Sequence, residues 1–264
     1  MLEVRRLSKS FGGVKAVEDV SFTVRPGSVH SVIGPNGAGK TTLFNLISGV
    51  YTATRGEVLL DGRDVCGLGP DQLARLGMSR TFQNLQVCMN MTACENVLLG
   101  AHLRTRSSLI GGLLGRTRGD DRALRDEALA LMQRVGVGAY ADAHATQLSF
   151  GVLKRLEIAR ALAGRPRLLL LDEPAAGLND TETHEITELV RGIAASGITV
   201  VLVEHDMKMV MNISDHILVL DYGRKLAEGT AAEVRRNPQV IAAYLGAPAE
   251  EAAAHAEAAV GASA

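Results

Sequence analysis

The stretch that decides the fold is Gly34-Pro35-Asn36-Gly37-Ala38-Gly39-Lys40-Thr41, which fits the phosphate-loop pattern G-x-x-x-x-G-K-[ST]. Its glycines allow backbone conformations that turn successive N–H groups toward one point. A short apolar run over 29–33 precedes it, and helix-spaced Leu43, Phe44, Leu46 and Ile47 follow. Strand, glycine loop and helix make one βα unit. The helix adds its positive N-terminal end to the loop. Lys40 is placed to reach the β- and γ-phosphates of a nucleoside triphosphate, and the Thr41 hydroxyl to ligate Mg²⁺. An idle glycine turn is the competing interpretation, and the strand-loop-helix context argues against it.

Outward from the loop, strand signals and helix signals alternate. Val20, Phe22 and Val24 alternate with polar residues before a Pro26-Gly27 turn, and 58–60 reads as a strand entering a turn at Asp61-Gly62. From about residue 92 to 162 the spacing is helical, with 121–135 free of Gly and Pro. The runs 168–171 and 198–203 have the length and composition of buried strands. Residues 217–220, the turn Asp221-Tyr222-Gly223 and 225–227 read as a hairpin. This order predicts an α/β fold with a mainly parallel sheet and helices on both faces.

Two carboxylates end the run Leu168-Leu-Leu-Leu-Asp172-Glu173-Pro174. Asp172 is suited to hold Mg²⁺, and Glu173 to accept a proton from an attacking water. Upstream, Leu148-Ser149-Phe150-Gly151 opens a predicted helix over 152–163, with Ser149 able to cap it and exposed N–H groups that attract an anion. An ordinary capped helix explains that segment equally well when it is read alone.

The order of the motifs resolves this. GPNGAGKTT, then Gln83 in Arg-Thr-Phe-Gln-Asn, then LSFG, then LLLLDEP, then His205 in Glu-His-Asp resembles the ATP-binding-cassette (ABC) ATPases over about residues 1–246. The resemblance implies a RecA-like P-loop NTPase core (about 1–83 and 163–230) with an N-terminal antiparallel β part. It also implies an inserted α-helical subdomain (about 84–162). It implies ATP and Mg²⁺ as ligands: Phe11 stacking on adenine above Val17, the loop from Gly34 to Thr41 with Thr42 on the phosphates, and Thr41, Gln83 and Asp172 on the metal. Glu173, Gln83 and His205 take the catalytic roles, with His205 on the γ-phosphate. Ser149 and Gly151 contact the ATP of a second cassette packed head to tail in a homo- or heterodimer. Two positions depart from the common pattern. Val152 stands where Gln follows the signature, which puts that helix's polar contacts in question, and Asn179 stands where the loop after DEP usually has Asp.

Four further runs, Arg155-Leu-Glu-Ile-Ala-Arg160, Asp172 to Asn179, Glu204 to Met211 and Asn237 to Gly246, are similar to the LivG-type ATPases of branched-chain amino acid importers. That likeness implies two membrane permeases and an external solute-binding protein as partners. It also implies a peripheral place on the cytoplasmic face of the inner membrane. Urea, amide or other solute importers remain alternatives, as do exporters such as lipopolysaccharide transport systems.

Composition agrees with this reading. Lys+Arg 28 against Asp+Glu 29 gives a net charge of −1, without the positive excess that nucleic-acid binding uses. The charge-free stretch 41–54 is too short to span a bilayer, so any pore comes from other chains. Cys66, Cys88 and Cys94 lack metal-ligand spacing and read as reduced thiols. A GTPase would need an Asn-Lys-x-Asp motif, which is absent, and a small-molecule kinase leaves LSFG and His205 unexplained. The Gly-rich segment 107–119 reads as a loop or helix-helix connection. The tail 247–264 reads as frayed or disordered.

Overall fold

The computed structural model describes residues 1–104 and 117–245. The Gly-rich segment at 107–116 and the tail beyond 245 lie outside them. Among the described residues the chain divides into two compact units, those within 1–70 and 190–264, and those within 71–189.

In the first unit, β1 (Leu2–Phe11), β2 (Val14–Val24), β4 (Arg55–Leu60) and β5 (Arg63–Asp64) form an antiparallel sheet in the order β2-β1-β4-β5. The alternation at Val20, Phe22 and Val24 puts all three in the core. Around β3 (Val29–Ile33), β8 (Thr199–Val203) and β9 (His216–Asp221) pair in parallel, and β10 (Arg224–Gly229) closes the edge as an antiparallel hairpin with β9. Strand β3 is buried along its whole length, as its uninterrupted apolar run predicts. Helices α1 (Lys40–Ile47), α7 (Met207–Ile213), α8 (Ala231–Arg236) and α9 (Pro238–Leu245) belong to this unit. Ile33, at the mouth of the phosphate loop, packs in one cluster with Val210, Ile217, Val219, Val234 and Val240. The last two helices thereby support the strand that presents the loop.

His30 on β3 is the misfit in this core. It is buried, its ring lies parallel to His216 at 6.3 Å and tilted against Phe22 at 5.3 Å. Its Nε2 finds no hydrogen-bond partner among the described residues. Burial, with His216 adding to it, pushes the imidazole down from 6.5 to about 4. The unfolded chain therefore binds a proton between pH 6.5 and 4 that the native chain refuses, so stability falls as the pH drops through that window. The full loss, reached below pH 4, is about 3 kcal/mol. In thermal melts at pH 7 and pH 5, His30→Leu should lose less stability on acidification than the parent. Equal losses would refute this assignment.

In the second unit, α2 (Pro70–Arg75) leads into β6 (Met78–Arg80), which pairs in parallel with β7 (Leu168–Asp172). Helices α3 (Ala93–Gly100), α4 (Thr117–Arg134) and α5 (Phe150–Ala163) pack on one another. Thr92 and Glu95 close a capping box on α3. Glu127 of α4 takes both Arg104 and Arg165, whose guanidinium groups hold its carboxyl at about 2. Helix α6 (Asp180–Ala195) begins in this unit, and its residues from Val190 on belong to the first. No helix among the described residues is long and apolar enough to cross a membrane.

Candidate functional site

The phosphate loop is built within the first unit. Gly39 is the N-cap of α1 in a left-handed conformation, φ 97°. A Cβ there would meet the Ala16 carbonyl oxygen at 2.4 Å, and one at Gly34 would meet that of Leu220 at 2.2 Å. Only glycine lets the loop lie this close to its neighbours. The Gly223 N–H donates to the Ala38 carbonyl at 3.0 Å, and the Ala38 N–H to that of Pro35 at 3.1 Å. Lys40 is folded inward: its Nζ donates to the Gly34 carbonyl at 2.6 Å and the Pro35 carbonyl at 3.0 Å. The ammonium thus sits on the loop, held by oxygens that a phosphate can replace. Asn36, Gly37 and Thr41 are exposed and Thr42 is partly so.

Phe11 ends β1 and is 44% exposed, meeting Tyr51 edge-on at 5.3 Å with the Lys9 ammonium 5.1 Å from its ring centre. An exposed aromatic face with a cation beside it suits a stacked base. Val17 is buried in β2, in register with Lys9. His205 is exposed at the end of β8, its backbone N–H fixed at 3.0 Å by the buried Glu204 carboxylate. Asp206 then caps α7 through the N–H groups of Lys208 and Met209. Tyr244 of α9 belongs to the run 237–246, and the sequence did not place it beside the phosphate loop. Burial raises its phenol to about 12, and the Gly34 backbone beside it pulls the other way.

The second unit gathers the carboxylates. Strand β7 is buried throughout and delivers Asp172 to its end. The Asp172 N–H donates to Thr81 Oγ1 at 3.2 Å, and the Thr81 N–H to the Leu170 carbonyl at 2.9 Å. Arg80, which sequence reasoning missed, pairs with Asp172 Oδ2 at 2.8 Å, the side chains 7% and 2% exposed. A buried carboxylate without a cation is costly, and Arg80 supplies the charge. Glu173 follows with φ 49°, a left-handed conformation uncommon outside glycine. Gln83 Nε2 donates to Glu173 Oε2 at 3.3 Å, so the structure brings these two predicted residues together. Among the described residues no group of three or more His, Cys, Asp or Glu stands ready to cage a metal. A single strand-end carboxylate fits Mg²⁺, which is usually bound through one or two carboxylates plus substrate phosphates.

At the signature segment, helix α5 starts at Phe150, two residues before the predicted 152. Ser149 occupies the N-cap position, but its side chain makes no cap hydrogen bond. The expectation that it caps the helix is therefore corrected, and its exposed hydroxyl is not committed to its own helix. A Cβ on Gly151 would stand 2.3 Å from Glu182 Oε1. Glu182 in turn accepts from the Asn179 N–H at 3.1 Å while its own N–H donates to Asn179 Oδ1 at 3.0 Å. Asn179 is thus the cap of α6, a position where Asn serves as well as Asp. Val152 is buried in α5, where an apolar side chain is at home. The three cysteines are free thiols.

Comparison with known proteins places the chain in a family. The family model described as ABC transporter matches residues 17–176, and that of the branched-chain amino acid ATP-binding cassette transporter matches 224–250. The chain is 45% identical over 249 residues to the high-affinity branched-chain amino acid transport ATP-binding protein BraF of Pseudomonas aeruginosa, covering 93% of this chain and 98% of that one. It is 44% identical over 250 residues to the corresponding protein LivG of Escherichia coli, with the same coverage. Among solved structures, a nucleotide-free ATP-binding cassette from an ABC transporter matches at 33% identity and TM-score 0.82, over 92% of this chain and 98% of that one. An ADP conformation of such a cassette matches at 33% identity and TM-score 0.82, over 93% and 98%.

Proposed function

Since this chain belongs to the ABC transporter family and is an ATP-hydrolysing transporter subunit, we propose that it drives the import of branched-chain amino acids. The observation that carries the catalytic part is the pairing of Gln83 with Glu173 at the end of β7. Gln83 orients Oε2 of the carboxylate, and Oε1 is left to take a proton from water as that water attacks the γ-phosphate. The loop from Gly34 to Thr42 holds the triphosphate, with Lys40 moving its charge from loop carbonyls to phosphate oxygens. Phe11 and Val17 receive the adenine, and His205 contacts the γ-phosphate. Thr41, Asp172 and Gln83 would hold Mg²⁺, which when bound neutralises charge on the transferring phosphoryl group. Ser149 and Gly151 serve the ATP of a second cassette, an assignment supported by the exposed Ser149 hydroxyl.

The branched-chain cargo is supported by the relatives, which are branched-chain amino acid transport ATP-binding proteins, and by the family match at 224–250. Two permeases and a solute-binding protein complete the proposed assembly at the cytoplasmic face of the membrane. The test is uptake of labelled leucine, isoleucine and valine in cells with and without the gene, other leucine transporters having been removed. Uptake that depends on the gene is expected. Equal uptake in both strains would defeat the cargo assignment and turn attention to urea- or amide-type solutes.

A further inference from the structure

Helix α5 carries two charged side chains that are almost wholly buried: Lys154, 4% exposed, and Glu157, 3% exposed. Such residues are rarely buried without partners that need their charge. Here each spends that charge on the backbone of a catalytic segment. Lys154 Nζ donates to the Glu173 carbonyl at 3.1 Å. Glu157 Oε1 accepts from the Phe82 N–H at 3.5 Å and the Gln86 N–H at 3.3 Å, the amides that bracket Gln83. Arg160, one turn on, donates to the Gln86 carbonyl. The first turn of the same helix is the signature segment, where the Phe150 ring lies 5.8 Å from the Lys154 ammonium and 3.1 Å from where a Cβ on Gly177 would stand. Burial pushes the Glu157 carboxyl up, and the two amides oppose it.

We propose that Lys154 and Glu157 are positioning residues, which register the Glu173 backbone and the Gln83 loop to the signature helix. The inference rests on the assignment of Glu173 and Gln83 to hydrolysis. Glu173 holds a left-handed backbone conformation, and the Lys154 ammonium on its carbonyl fixes that peptide in orientation. The Gln83 loop is exposed, and the Glu157 carboxylate anchors it at both ends. Any displacement of the first turn of α5 therefore reaches both groups that handle the attacking water through two hydrogen-bonded charges. Apolar residues of similar volume could fill the same space, but would leave those backbone groups without their partners. They could not grip a carbonyl and two amides.

The test uses full-length Lys154→Gln, Lys154→Arg and Glu157→Gln. Three readouts are taken: thermal midpoint, affinity for a fluorescent ATP analogue, and turnover in the assembled transporter. Amide hydrogen exchange over 82–86 in the nucleotide-free protein is measured as well. Lys154→Gln and Glu157→Gln should keep the midpoint and nucleotide affinity near those of the parent and lower kcat about ten- to a hundredfold. Lys154→Arg should restore much of it. Glu157→Gln should also speed exchange over 82–86, a readout that needs no catalysis. Turnover lost only in step with folded protein, or exchange unchanged in Glu157→Gln, would overturn the proposal. Failure of the parent assignment is separately visible, because it would leave Glu173→Gln active while the exchange result stood.

Discussion

Glu173→Gln is expected to lower turnover by about a hundred- to ten-thousandfold while ATP still binds, because the change removes a general base and little else. The residue sits just past a strand that is buried along its length, so its backbone position does not depend on its own charge. Gln83 donates to Oε2 at 3.3 Å, and the glutamine variant keeps a carbonyl oxygen able to accept that bond. Lys154 holds the main-chain carbonyl, which the substitution leaves intact. The variant should therefore accumulate in an ATP-bound, closed dimer. Single-turnover hydrolysis beside equilibrium binding of an ATP analogue separates the two effects. Hydrolysis within a few-fold of the parent would remove Glu173 from the mechanism.

Lys40→Ala should act on the step before, weakening nucleotide binding about ten- to a hundredfold through loss of charge-assisted hydrogen bonds to phosphate. The same ammonium bridges the Gly34 and Pro35 carbonyls, so it also holds the loop in shape. Lys40→Met keeps the aliphatic stem and discards the charge, which distinguishes the two contributions. Both variants should bind poorly if charge dominates, whereas Met should recover most of the affinity if loop packing does. Fluorescence anisotropy with a labelled ATP analogue decides between them. Affinity unchanged in both would exclude Lys40 from the phosphates.

Much of this was legible in the residues because the deciding signals are local. The loop 34–41, the buried runs that became β3, β7 and β8, and the 217–227 hairpin all carry their patterns within a dozen residues. The missed parts have long-range causes. Arg80 meets Asp172, and Glu157 meets Phe82 and Gln86, across tens of residues of chain, and no periodicity announces such pairings. The short strands β5 and β6 are two and three residues long, too brief for an alternation to show. Asn179 carries a second local signal: Asn179 followed by Glu182 is a capping box, and the structure uses it as one. Ser149 went the other way, since its place before α5 suggested a cap bond that the side chain does not make.

The pairing order around β3 has a consequence for how the protein is made. The strand that ends in the phosphate loop is complete by residue 33, but its neighbours β8 and β9 begin at 199 and 216. At about 5–20 residues per second, a ribosome needs roughly ten to thirty seconds to supply them. Throughout that interval both edges of an apolar strand lack the partners they will have. The contiguous unit 71–189 is fully translated first. Nucleotide is then in no position to assist early folding, because the loop that grips it is among the last pieces to be framed. A chain released short of its final sixty-odd residues would lack the β9 side of that frame, and it would present an open sheet edge to the cell's quality control in place of a binding site.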